Sequence, residues 1–163
     1  MNQRYLLGLG EHGETGVFKK GPEVIQTADT PYGRIGISIC RDMSFPQYIR
    51  QAGRNNVDIM LSPSYDFPKS TSLLYSLRSI ENGFSFVRPV YNGISFVVDY
   101  NGKILAQMAS DKSEDGILYA NVPTKGIKTI YSMIEDLFAW LCVLAFVAFI
   151  VMPIISRIRK KQN

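Results

Sequence analysis

Cys40 is the residue whose type and position most directly suggest chemistry. It closes a short apolar run at 34–40 (RIGISIC), directly before the polar pair Arg41-Asp42 and a helix-like stretch. In α/β sheets, that end of a strand is where ligands and reactive groups gather. A thiolate there is a nucleophile, and the backbone N–H groups of the following turn, Arg41 foremost, can hold an oxyanion. The same cysteine could equally serve as a small apolar core residue. Asp42 could support the thiol or act as a turn cap, since aspartate favours both settings. The side chain of Arg41 is expected in solvent. His12, the one histidine, adjoins Glu11 and invites a Cys–His pairing, although a lone loop histidine is more often a bystander. No grouping of residues calls for a metal, nucleotide or flavin, so no cofactor is expected.

The elements around Cys40 read as alternating strands and helices. A turn at Thr30-Pro31-Tyr32-Gly33 precedes the 34–40 strand. The stretch 45–55 has Ser44 as N-cap, Pro46 near its start, and Tyr48, Ile49 and Ala52 at helical spacing. A second strand at 57–62 ends at Pro63, which completes a strand–helix–strand crossover. A further helix is expected over 70–82, then β-rich runs at 86–91, 93–100 and 103–109, and another strand at 116–122. Asn101-Gly102 signals a two-residue hairpin with positive φ at both positions. The fold class is α/β with a mixed sheet.

The chain has 163 residues and a formal net charge of +4. Arg157, Arg159, Lys160 and Lys161 carry that excess in the tail, and the first 134 residues are nearly neutral. Nucleic acid is therefore not an expected partner. With 46% hydrophobic residues a disordered chain is excluded, and two cysteines exclude a disulfide scaffold. Residues 137–156 (LFAWLCVLAFVAFIVMPIIS) lack formal charge. A helix of this length spans about 30 Å, the thickness of a bilayer core. Trp140 near one end and the RIRKK cluster at the other predict a transmembrane helix whose basic end is cytoplasmic. Cys142 lies inside that run and reads as packing. The body would then lie outside the membrane. No signal-like pattern opens the sequence, so either the charge rule does not hold here or membrane segments are expected upstream.

The stretch TPYGRIGISICRDMSFPQYIRQAGRNNVDIMLSPSYDF resembles the nucleophile region of the carbon-nitrogen hydrolase (nitrilase) superfamily, with Cys40, Asp42, Phe45-Pro46, Asp58 and Pro63-Ser64 in register. Downstream, LRSIENGFSFVRPVYNGISFVVDYNGKIL is similar to its Glu-Asn helix and Asn-Gly-Ile-Ser hairpin. The apolar C-terminus, reached through TIYSMIEDLFAWLC, narrows the resemblance to the membrane-bound apolipoprotein N-acyltransferase family. The resemblance implies the C-terminal portion of an αββα sandwich, followed by one transmembrane helix in a bacterial cell membrane. The expected divisions are a partial hydrolase domain at 1–130, a lead-in and span at 131–157, and a basic tail at 158–163. It also implies a Glu-Lys-Cys triad. The cysteine accepts an acyl group from a phospholipid as a thioester and passes it to the N-terminal amine of an apolipoprotein.

Two features depart from that pattern. Gln3 stands where the family has its lysine, with seven residues between it and Glu11 at the second position of the pattern. A neutral amide gives a hydrogen bond roughly half as strong as a charged donor. The triad glutamate has no counterpart, since Glu11 matches only a second, supporting acid. A partner portion on the N-terminal side is therefore expected, and the chain alone is expected not to turn over. The alternatives are a nitrilase-like amidase fragment and a degenerate, anchored domain without catalysis.

Overall fold

The structure is a computed structural model that describes residues 23–66, 72–110 and 116–162, with the side chains of 66, 72–73 and 154–162 left undescribed. The chain divides into two compact units, Met1–Ser132 and Met133–Asn163.

In the first unit a six-stranded sheet carries the site. Strand β1 (Gln26–Thr30) pairs antiparallel with β2 (Gly33–Ile37), and helix α1 (Pro46–Arg54) then crosses to β3 (Ile59–Leu61), parallel to β2. This is the expected crossover. Pro46 opens α1, where its missing N–H costs nothing and its φ suits the first turn. After helix α2 (Ser72–Asn82), β5 (Ser85–Arg88) joins β3 in parallel, and β7 (Ile94–Val98) and β8 (Ile104–Ala109) extend the sheet antiparallel. Two further strands, β4 (Ser64–Asp66) and β6 (Val90–Asn92), form a separate parallel ribbon.

The ribbon exists because of two prolines. Pro63 separates β3 from β4, and Pro89 separates β5 from β6, so the run expected at 86–91 is two strands in two sheets. A proline lacks the N–H that a ladder needs. The breaks lie side by side: Ser62 N–H donates to Val87 O at 3.0 Å, and Ser64 N–H donates to Pro89 O at 3.0 Å. The sheet forks at one level.

One face of the sheet holds the core. Gly36, Met60, Phe86 and Val98 lie in register across four strands, and against them pack Tyr48, Ile49 and Ala52 of α1 and Tyr75 of α2. Each large side chain so buried contributes about 1.5–3 kcal/mol. On the opposite face, Ile37, Leu61 and Val87 form a second apolar row that is only partly covered, and Ile37 is 42% exposed. Helices α1 and α2 thus form one layer on one face of the six-stranded sheet.

Three expectations need correction. The N-cap of α1 is Phe45 and not Ser44, which closes the preceding turn. The hairpin at 99–103 is not a two-residue turn, because only Gly102 has positive φ (80°). Asp99 Oδ1 accepts N–H bonds from Asn101 and Lys103, both at 2.9 Å, and this side-chain cap widens the loop. Residues 116–122 form no strand. The segment continuing from them ties to strand ends instead: Pro123 O accepts from Ser85 Oγ (3.1 Å), Gly126 N–H donates to Asp58 Oδ1 (2.8 Å) and Ile127 N–H to Gly83 O (2.8 Å). Gly83 has φ +76°, and a Cβ there would collide with the Ile127 carbonyl. Helix α3 (Ile130–Ile134) then brings Tyr131 over Arg50, whose Nη2 donates to Tyr131 Oη at 2.8 Å.

In the second unit, helix α4 (Leu137–Gln162) contains the apolar run, with Pro153 inside it. Among the described residues no helix is long and apolar enough to cross a membrane. The expected span, which extends to residue 156, reaches beyond the side chains described.

Candidate active site

Strand β2 ends at Ile37, three residues before Cys40, although the sequence pattern runs the strand to the thiol. Parallel pairing nevertheless continues in the backbone. Ser38 N–H donates to Leu61 O (3.0 Å), and Cys40 N–H donates to Pro63 O (2.9 Å). Cys40 then opens a 3-10 turn, Cys40–Ser44, with a left-handed backbone at φ +49°. For a residue with a Cβ that conformation costs about 1–2 kcal/mol, so neighbouring bonds must impose it.

They do so from both sides. Asp42, 1% exposed, accepts the Ile39 N–H on Oδ2 at 2.9 Å, while its own N–H donates to Ile39 O at 3.0 Å. Arg88, at the end of β5, donates from Nη2 to the Cys40 carbonyl at 3.1 Å. Its Nη1 donates to Ser62 Oγ at 2.9 Å, and the guanidinium lies 4.6 Å from the centre of the Tyr75 ring. Tyr75 Oη and Ser44 Oγ are hydrogen-bonded at 3.0 Å. Burial pushes the Arg88 guanidinium below its usual pKa, opposed by the nearby Tyr75 and Cys40.

The thiol emerges half-buried, and Ser64 Oγ donates to Sγ at 3.2 Å. Beyond Ser64, the ribbon presents Tyr65 and Tyr91, stacked at 5.3 Å and both well exposed. The N–H of Arg41 makes no hydrogen bond among the described residues, and its side chain is exposed, as expected. Chemically, this is a thiol with a hydroxyl donor on its sulfur and a backbone N–H beside it.

The structure therefore brings Cys40, Arg41 and Asp42 together on one turn. Gln3, Glu11 and His12 lie outside the described residues. Cys142 is exposed on α4, and both cysteines are free thiols. Arg88, Ser62, Ser64 and Tyr75 carry parts of the site that the sequence did not assign. A charged residue ending the apolar run Phe86-Val87 was the available signal for Arg88. Among the described residues no group of three metal-ligating side chains occurs.

The family model for carbon-nitrogen hydrolases matches residues 6–131, most of the chain and all of the site just described. The chain belongs to the carbon-nitrogen hydrolase family. Within this family it is 33% identical over 97 residues to an apolipoprotein N-acyltransferase from Shewanella oneidensis, covering 55% of this chain and 18% of that protein. It is also 31% identical over 117 residues to the omega-amidase of Saccharomyces cerevisiae, covering 63% of this chain and 39% of that one. The carbon-nitrogen hydrolase chain thus spans well under half of these relatives. In fold it is similar to an amidase from Nesterenkonia sp., with a TM-score of 0.58 at 23% identity, covering 69% of this chain and 46% of that structure. That likeness establishes the mixed α/β fold of the nitrilase type.

Proposed function

We propose that this chain is the nucleophile-bearing part of a membrane-bound N-acyltransferase, with Cys40 as acyl carrier. The observation that carries the reading is Cys40 itself: a half-buried thiol held in a left-handed backbone at the fork of the sheet, with Ser64 on its sulfur. The sulfur attacks the carbonyl carbon of a phospholipid ester, and the C–O bond breaks as the lysophospholipid leaves with a proton. The acyl group then rests on sulfur as a thioester. An apolipoprotein amine attacks that carbon, the C–S bond breaks, and the thiol is restored. Arg41 N–H is the backbone donor to the oxyanion in both steps. Asp42 supports the site by fixing the turn.

The reading also assigns a helper. The general base of the triad comes from a further portion of polypeptide that packs on the Ile37, Leu61 and Val87 face, supplying the second sheet of the sandwich. Gln3, at the family's lysine position, offers a neutral donor in place of a charged one, and Glu11 is the supporting acid. Helix α4 is read as the membrane anchor over 137–156 because Phe138, Trp140, Phe146 and Phe149 are apolar side chains more than half exposed, and the tail as cytoplasmic because it carries Arg157, Arg159, Lys160 and Lys161.

The similarity to an omega-amidase favours a second reading, an amidase part acting on a small amide. An activated acyl ester, p-nitrophenyl octanoate, tests the shared step: intact-mass analysis of the purified full chain should show a hydroxylamine-labile octanoyl adduct on the peptide containing Cys40. No adduct above that of C40S would overturn the nucleophile. Phospholipid vesicles alone should give none, since the base is supplied elsewhere. Steady ammonia release from small amides by the full chain would favour the amidase.

A further inference from the structure

The Arg88 guanidinium is 1% exposed, and burying such a charge is costly unless its donors are engaged. Here two of its nitrogens donate, one of them to the start of the turn, and the far end is reached through the Tyr75 ring. Nη2 holds the carbonyl of Cys40, the first residue of the turn, while the ring beneath the guanidinium belongs to Tyr75, whose hydroxyl meets Ser44, the last. Nη1 is fixed in turn by Ser62 at the end of β3.

The Cys40 carbonyl and the Arg41 N–H belong to one peptide group, and in a trans peptide they point in opposite directions. Drawing the carbonyl inward to Arg88 therefore turns the Arg41 N–H outward, to the exposed side of the turn where an acyl carbonyl would approach the thiol. A cation on the carbonyl also polarises the peptide, which strengthens its N–H as a donor. We propose that Arg88 is a positioning residue that aims and sharpens the backbone oxyanion donor of Arg41. This rests on Cys40 being the nucleophile.

Two reactions of the same sulfur separate this role from simple support of the fold. Acylation by p-nitrophenyl octanoate passes through an oxyanion, whereas alkylation by iodoacetamide does not. Both are measured on the full chain in a C142S background, so that only Cys40 reacts. Losing one oxyanion donor costs about 10²–10³ in rate, so R88M should slow acylation about a hundredfold. Alkylation should change by no more than about threefold, since the thiol itself is untouched. R88K keeps a buried charge but cannot span both acceptors, and should fall between R88M and the parent in acylation alone. If both reactions fall together in R88K, or neither changes, the proposal is overturned. A parent chain that is alkylated but never acylated overturns the nucleophile reading instead, and this one with it.

Discussion

Replacing Asp42 separates structural support from chemistry at the turn. The carboxylate accepts the Ile39 N–H at 2.9 Å from a buried position, and a hydrogen bond to a charged group contributes about 1.5–3 kcal/mol. D42A removes the acceptor and strands that N–H, so a loss of about 2 kcal/mol is expected. D42N retains an oxygen in the same place without the charge, and should lose about half as much. For a unit of this size each kcal/mol lowers the unfolding midpoint by roughly 4 °C, which gives about 8 °C for D42A and about 4 °C for D42N. Circular dichroism of the detergent-solubilised full chain measures this, and octanoyl transfer to Cys40 is followed in parallel. If the carboxylate acts by holding the turn, D42N acylates within about threefold of the parent at temperatures where it is folded. A D42N chain that melts like the parent yet fails to acylate would refute the reasoning and make Asp42 a participant in the reaction.

Ser64→Ala removes the donor on Sγ and should slow iodoacetamide alkylation of Cys40 about threefold, with little change in melting. Gly83→Ala forces a Cβ onto the Ile127 carbonyl in a left-handed backbone, and should cost at least about 3 kcal/mol, read as loss of cooperative melting at physiological temperature. Tyr131→Phe removes the acceptor for Arg50 Nη2 and should lower stability by about 1 kcal/mol, measured by denaturant unfolding. The Arg34 guanidinium bonded to Asp29 holds that carboxyl below its usual pKa. A lowered folded-state value stabilises at pH above the unfolded pKa and is lost as pH falls through the folded one. D29N should therefore lower the melting point slightly at neutral pH, and the difference from the parent should shrink as pH falls through the folded-state value of Asp29.

Much of the fold was legible because apolar spacing reports directly on burial. Tyr48, Ile49 and Ala52 marked the inner face of α1, and the β2–α1–β3 crossover followed from the order of runs. The β-rich run at 86–91 was visible, but its division at Pro89 depends on Pro63 lying beside it, a relation between residues 26 positions apart. The loop at 99–103 was misread because Asp99, outside the Asn-Gly pair, controls the turn through its side chain. At the site, Cys40, Arg41 and Asp42 were legible as local chemistry at a strand end. Arg88 and Ser62 were not, because what makes Arg88 part of the site is the Cys40 carbonyl it closes upon, and Ser62 belongs only through the guanidinium it receives. No one-dimensional pattern records the direction of a carbonyl.

The paired prolines have a consequence for how such a site can change. Because β4 and β6 bond to each other, substitutions in the ribbon need not disturb the register of β2, β3 and β5, which fixes the sulfur. Tyr65 and Tyr91 stand on that branch, one residue beyond Ser64 and Val90. The fold thus has a built-in seam: beyond Ser64 the ribbon can drift in sequence, while the register that holds the sulfur stays anchored in the main sheet.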